Sequence, residues 1–98
     1  MSHLGLKHLT CPSELVRQAF QAYSFEHRIT EDQELFILRL HSSSQEDPCV
    51  YTVPATQQSD GRLTVEWDKA TFTPPLDLND PRYSEVDQQL LLVYQRLI

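Results

Sequence analysis

The sequence predicts an α+β fold with the element order α-β-β-β-α, in which a three-stranded antiparallel sheet carries the N- and C-terminal helices on one face. Three observations lead to this prediction. A segment near each end places apolar residues at helical spacing, three central segments are short and apolar, and the turn pair Asp60-Gly61 separates the last two. At 98 residues the chain has the length of a single domain, residues 1–98, with one modest core. Residues 1–9 are expected to be flexible.

The first helix is predicted from Pro12 to Phe25. Proline suits the first helical position because its missing N–H would have no partner there, and Thr10 or Cys11 would supply the cap. Apolar side chains fall within an arc of about 160°, while Arg17 and its polar neighbours occupy the opposite side. This pattern indicates an amphipathic helix with one buried face.

The first strand is predicted at residues 34–41. Thr30-Glu31-Asp32-Gln33 matches a capping box, which would start a helix instead. The apolar run is short, however, and three serines follow it directly, so a strand is favoured. Side chains should then alternate between two faces. Phe36, Leu38 and Leu40 share one face, and Leu35, Ile37, Arg39 and His41 share the other.

The other two strands are predicted at residues 49–54 and 62–68. In the last strand Leu63, Val65 and Trp67 should point inward. We expect Asp60-Gly61 to form a type I′ hairpin turn, because both central positions of that turn favour such residues. Pro54 should lie at a strand end or on a sheet edge, since it cannot donate a ladder hydrogen bond.

The last helix has clear start signals. Asp80 is predicted as the cap and Pro81 as the first helical residue. An apolar arc of about 100° widens to about 160° with two further residues, and Leu92 points the opposite way. The narrow arc consists of Val86, Leu90, Val93, Tyr94 and Leu97, and the residues that widen it are Leu91 and Ile98.

Composition excludes several classes of function. The net charge of −6 argues against binding to a nucleic-acid backbone. The element order is that of double-stranded RNA-binding domains, but the acidic start of the last helix, residues 80–87, contradicts RNA binding. The only glycines, Gly5 and Gly61, are too far apart for a phosphate-binding loop or a dinucleotide turn, so no cofactor is expected. Two cysteines and the lack of a long apolar run predict a cytoplasmic protein with reduced thiols and no membrane contact.

Few residues suggest chemistry. His3, His8 and Cys11 are too few for a structural zinc site, so no metal is expected. Cys49 and His41 could approach each other across a hairpin, but the pair lacks a third member and an oxyanion donor. We therefore expect no catalytic residues. The acidic clusters are predicted to be solvated charge and helix capping; they are Glu31-Asp32-x-Glu34 and Asp77-x-Asn79-Asp80.

The sequence favours a small acidic protein–protein interaction module, with an adaptor or regulatory role, that is not an enzyme and forms a homo-oligomer. The acidic segment 26–47 would steer it toward a basic partner surface. Two alternatives stay open: a thiol-dependent or hydrolytic enzyme using Cys49 and His41, and an acidic mimic of nucleic acid that inhibits a basic protein. The predicted partner-binding residues are Leu91, Leu92, Tyr94 and Ile98 on the last helix, and Leu35, Ile37 and Arg39 on the open sheet face.

Overall fold

A computed structural model describes residues 8–40, 49–73, 75 and 79–98. The fold is α+β with an antiparallel sheet and two helices, as predicted, but the sheet has six strands instead of three. The elements in chain order are β1 (Leu9–Pro12), α1 (Ser13–Gln21), β2 (Glu26–Ile29), β3 (Gln33–Leu40), β4 (Cys49–Gln57), β5 (Arg62–Val65), a 3-10 turn (Trp67–Lys69), β6 (Thr71–Thr73) and α2 (Pro81–Leu97).

The sheet is organised around β4. The strand order is β1-β5-β4-β3-β2, and β6 pairs with β4 outside this path. On its second side β4 has two partners, since β6 pairs with residues 50–52 and β5 pairs with residues 55–57. Pro54 lies between these partners in a central strand, so the prediction of an edge or strand-end position is wrong. The Pro54 carbonyl accepts from Glu66 N (3.0 Å), and the proline nitrogen faces the same gap, where no ladder donor is required.

Three short strands, β1, β2 and β6, were not predicted. Each has only three or four residues, and β2 reads Glu-His-Arg-Ile, which shows no apolar alternation. It pairs antiparallel with Glu34–Ile37, so β3 provides the template for its extended conformation. Leu9 lies in β1, which brings part of the segment expected to be flexible into the sheet.

Helix α1 is shorter than predicted at both ends. Thr10 and Cys11 belong to β1 and do not cap the helix, and Pro12 is the capping residue without a side-chain hydrogen bond. Ser13 N donates instead to Gly61 O (3.2 Å) in the β4–β5 hairpin. At the other end Ser24 adopts a left-handed conformation (φ 72°), which ends the helical path before β2.

Both hairpin turns are defined by backbone hydrogen bonds. Thr30 N donates to Gln33 O (2.8 Å) and closes the β2–β3 turn, so the strand prediction for the following residues is confirmed over the helix alternative. In the β4–β5 hairpin, Gln58 N donates to Arg62 O (2.8 Å) and Gly61 N to Gln58 O (3.3 Å). Of the Asp60-Gly61 pair only Gly61 has a positive φ (82°), so this is a three-residue loop with a glycine bulge and the type I′ prediction is wrong.

One hydrophobic core lies between the sheet and both helices. Phe20 of α1 stacks on Phe36 of β3 at a centroid distance of 4.2 Å and lies 5.9 Å from Trp67, which in turn meets Tyr94 of α2 edge-on. The start of α2 is as predicted, because the Asp80 side chain accepts from a backbone N–H in the first turn. None of the helices in the described ranges is long and apolar enough to cross a membrane. The buried residues of α2 are Val86, Leu90, Val93 and Leu97.

Candidate interaction surfaces

The sheet has an open face, opposite the core, formed by the alternate residues of β2, β3, β4 and β6. Leu35 pairs with Pro54 across β3 and β4, and Ile37 pairs with Thr52. Val50 follows on β4 in the same alternation, and all five side chains are half-buried. Leu35, Ile37, Val50 and Pro54 therefore form an apolar centre on this face, as the strand alternation predicts for the first two.

Arg39 also lies on the open face, where it is paired with Glu26. Its Nε and Nη2 atoms donate to the two carboxylate oxygens at 2.5 and 3.2 Å. The guanidinium lowers the pKa of Glu26, and the carboxylate raises that of Arg39. Both side chains are about half exposed, so solvent screens the pair and it contributes little to stability.

The predicted residues on α2 divide into two groups. Leu91, Tyr94 and Ile98 recur at helical spacing and form one stripe along the helix, here called the α2 stripe. Ile98 is 73% exposed and Leu91 is 40% exposed, whereas Tyr94 is half-buried against Trp67. Leu92 is 42% exposed but points about 100° away from Leu91 around the helix. The four residues therefore do not form one continuous surface.

A buried polar cluster around Glu34 was missed by the sequence reasoning. Glu34 is fully buried on the core face of β3, so the prediction of a solvated carboxylate is wrong for this residue, although Glu31 and Asp32 are exposed. The alternation that buries Phe36 and Leu38 also points Glu34 inward, and this was the available signal. Its partner, Arg17, lies on the face of α1 expected to be solvated and is only about one-third exposed.

The Glu34 carboxylate accepts four hydrogen bonds. Arg17 Nε donates to Oε1 (2.9 Å) and Arg17 Nη2 to Oε2 (2.6 Å). His27 Nε2 lies 2.6 Å from Oε1, and Gln57 Nε2 donates to Oε2 at 3.2 Å. The Arg17 guanidinium is the main reason that the pKa of Glu34 falls to about 2. A saturated carboxylate that stays ionised is suited to joining α1 to the sheet and is unsuited to general acid–base catalysis.

The described residues considered for catalysis and metal binding are either buried or paired with other groups. Cys49 is 1% exposed, and burial raises the pKa of its thiol, which opposes nucleophilic reactivity. His41 lies outside the described residues, as do His3 and Asp77. His8 pairs with Asp68 (2.5 Å), and Cys11 is buried against Leu97 O. Within the described ranges, no three His, Cys, Asp or Glu side chains are grouped so that they could hold a metal ion.

The acidic segment 26–47 is partly neutralised. Glu26 is paired with Arg39, and Glu34 with Arg17. Glu31 and Asp32 are exposed at the β2–β3 turn, and the remaining acids of the segment lie outside the described residues. The exposed negative charge of the described part of this segment is therefore concentrated at one turn.

The chain matches no protein-family model, no curated protein and no solved structure. Its function is therefore inferred from the geometry of its own surfaces.

Proposed function

We propose that this protein is a non-enzymatic interaction module, with an adaptor or regulatory role, that self-associates through the open face of its sheet. The observation that supports this function is the apolar centre of Leu35, Ile37, Val50 and Pro54. These side chains come from two adjacent strands, and both helices contribute to the core on the other face. A cytoplasmic location fits the presence of two cysteines in reduced form, Cys11 and Cys49.

The open face suits a second copy better than the α2 stripe does. Strands fix the side chains of the apolar centre on a rigid surface, and two such sheets can pack about 10 Å apart. The neighbouring charges, Arg39 and Glu26, already neutralise each other, so burying them together leaves no net charge at the interface. In the α2 stripe, by contrast, Tyr94 is already engaged with Trp67.

The test compares two double variants by sedimentation velocity across a range of protein concentrations. Leu35→Thr/Ile37→Thr places threonine, which is β-branched and favours strands, at both positions of β3 and removes apolar area from the open face. Leu91→Gln/Ile98→Gln is the matched change on the α2 stripe. We expect association of the wild type to be lost in the first variant and retained in the second. The fluorescence of the buried Trp67 verifies that both variants fold.

A wild type that stays monomeric at several hundred micromolar would refute self-association. Loss of association only in the α2 variant would refute the assignment to the open face and move the interface to α2.

A further inference from the structure

The edge of β3 is longer than the strand that covers it. β2 pairs only with Glu34–Ile37, whereas β3 continues to Leu40. Thr30 N donates to Gln33 O, so these two residues form a hydrogen-bonded pair of the β2–β3 ladder. Such pairs recur at every second residue of an antiparallel strand, so the N–H and C=O of Leu35, Ile37 and Arg39 also point toward the β2 side. The N–H and C=O of Arg39 therefore point to the side where β2 has already ended.

A groove of about 510 Å³ lies at this edge, between β3 and α2. Leu38 and Leu40 line its β3 side and are themselves 9% and 7% exposed. The α2 side has three polar residues at helical spacing. They are Glu85, Gln88 and Gln89.

Hydrogen-bond acceptors without partners face this groove. Glu85 is exposed and forms no ion pair with any described residue, and Gln89 Oε1 is buried without a hydrogen-bond partner in the described part of the chain. The Arg39 carbonyl adds a third acceptor, while the Arg39 guanidinium is occupied by Glu26. The groove is therefore complementary to a ligand that combines backbone donors with a cationic side chain.

The other described sheet edges are poor templates for strand addition. β1 ends at Pro12, the edge strand β2 carries charged side chains at Glu26 and Arg28, and β6 has only three residues. At Leu38–Leu40 the edge has neither a proline nor an unpaired charge.

We propose that this groove binds an extended cationic segment of a partner protein as an added strand beside β3. The segment would exchange backbone hydrogen bonds with Arg39, place an aliphatic side chain against Leu38 and Leu40, and bring a lysine or arginine to Glu85. This site overlaps the proposed self-association surface only at Arg39, whose backbone it uses, and it involves neither the apolar centre of the open face nor the α2 stripe.

The test uses fluorescence anisotropy with a labelled, end-capped peptide in which a valine and a lysine, two positions apart and therefore on one face of the strand, are flanked by threonines. Glu85→Gln should weaken its binding about five-fold, as expected for the loss of one exposed ion pair. Glu14→Gln is the matched control, because it removes the same charge from an exposed position on α1 outside the groove. A peptide with alternate backbone amides methylated should lose binding, since it cannot donate to Arg39.

Three results would overturn the proposal: no binding at millimolar protein, equal weakening by Glu85→Gln and Glu14→Gln, or unchanged binding of the methylated peptide. Leu35→Thr/Ile37→Thr should bind the peptide like the wild type whether or not it self-associates, which separates this test from that of the proposed function.

Discussion

Replacing Glu34 with Gln should remove much of the link between α1 and the sheet at neutral pH. In the best orientation the new amide oxygen keeps the bonds from Arg17 Nε and His27, but its NH₂ group then faces Arg17 Nη2 and Gln57. Two hydrogen bonds to a charged acceptor are lost, each contributing about 1.5 kcal/mol. We expect a loss of about 3 kcal/mol, which is a large part of the 5–15 kcal/mol typical of a domain.

The lowered pKa of Glu34 arises mainly from the Arg17 hydrogen bonds and corresponds to a similar magnitude. Its value falls from 4.5 to about 2 on folding. A shift of this size corresponds to about 3 kcal/mol of stability, at 1.36 kcal/mol per pKa unit. Because the folded pKa is lowered, this stability is fully present above about pH 5 and is lost as the pH falls toward 2. The difference between the wild type and Glu34→Gln should therefore shrink by about 3 kcal/mol over that interval.

The test is urea unfolding of the wild type and Glu34→Gln between pH 7 and pH 2.5, monitored by the fluorescence of Trp67, the single tryptophan. It measures the loss of stability at neutral pH and the decrease of that loss as the pH falls. Glu31→Gln is the control, because this exposed residue lies three positions away and the substitution removes the same charge. We expect the control to change the free energy of unfolding by less than about 0.5 kcal/mol. Equal effects of the two variants, or a Glu34→Gln effect that does not depend on pH, would refute the reasoning.

Two further predictions concern the β4–β5 turn and the thiols. Gly61→Ala should lower the free energy of unfolding in urea by about 1–2 kcal/mol, because Gly61 has a φ of 82°. A Cβ atom there would meet open space, so the cost comes from the backbone conformation, and Gly61→Asn should cost less because asparagine tolerates a positive φ. Equal costs of the two variants would indicate a steric cause instead. Cys11 and Cys49 should react with Ellman's reagent at least about 100-fold more slowly than a free thiol, because both are buried with a raised pKa; fast reaction of Cys49 would support the thiol-enzyme alternative instead.

The elements that could be predicted from the sequence carry their own local signals. Asp80 and Pro81 define the start of α2 through capping chemistry, and the alternation of Leu63 and Val65 identifies β5. β2 has no such signal, since it is charged and forms by pairing with β3. Strands of this kind depend on tertiary context, so a sequence pattern does not reveal them.

The Glu34 cluster shows a different limit. The alternation of β3 places Glu34 inward, but the charge of its neighbours Glu31 and Asp32 favoured a solvated interpretation. Burial of this carboxylate is possible because Arg17 of α1 donates two hydrogen bonds to it. Helical periodicity alone places Arg17 on the solvated side of α1, so it does not predict this contact. A single carboxylate that the strand alternation points inward therefore indicates a cationic partner elsewhere in the chain, because a buried charge is normally paired.

The distribution of acids bears on the three functions that the composition left open. Five of the described acids form ion pairs with arginine or lysine, and Asp68 lies beside His8. The five are Glu26, Glu34, Asp60, Glu66 and Asp80. A nucleic-acid mimic needs closely spaced negative charge along one face, since duplex DNA carries one charge per about 1.7 Å of its axis. The exposed acids without a partner in the described residues lie instead at separate places: Glu14 at the start of α1, Glu31 and Asp32 at the β2–β3 turn, and Glu85 in the groove. This arrangement favours recognition of a single cationic side chain, and among these acids Glu85 is the one that lies beside an apolar floor and a strand edge.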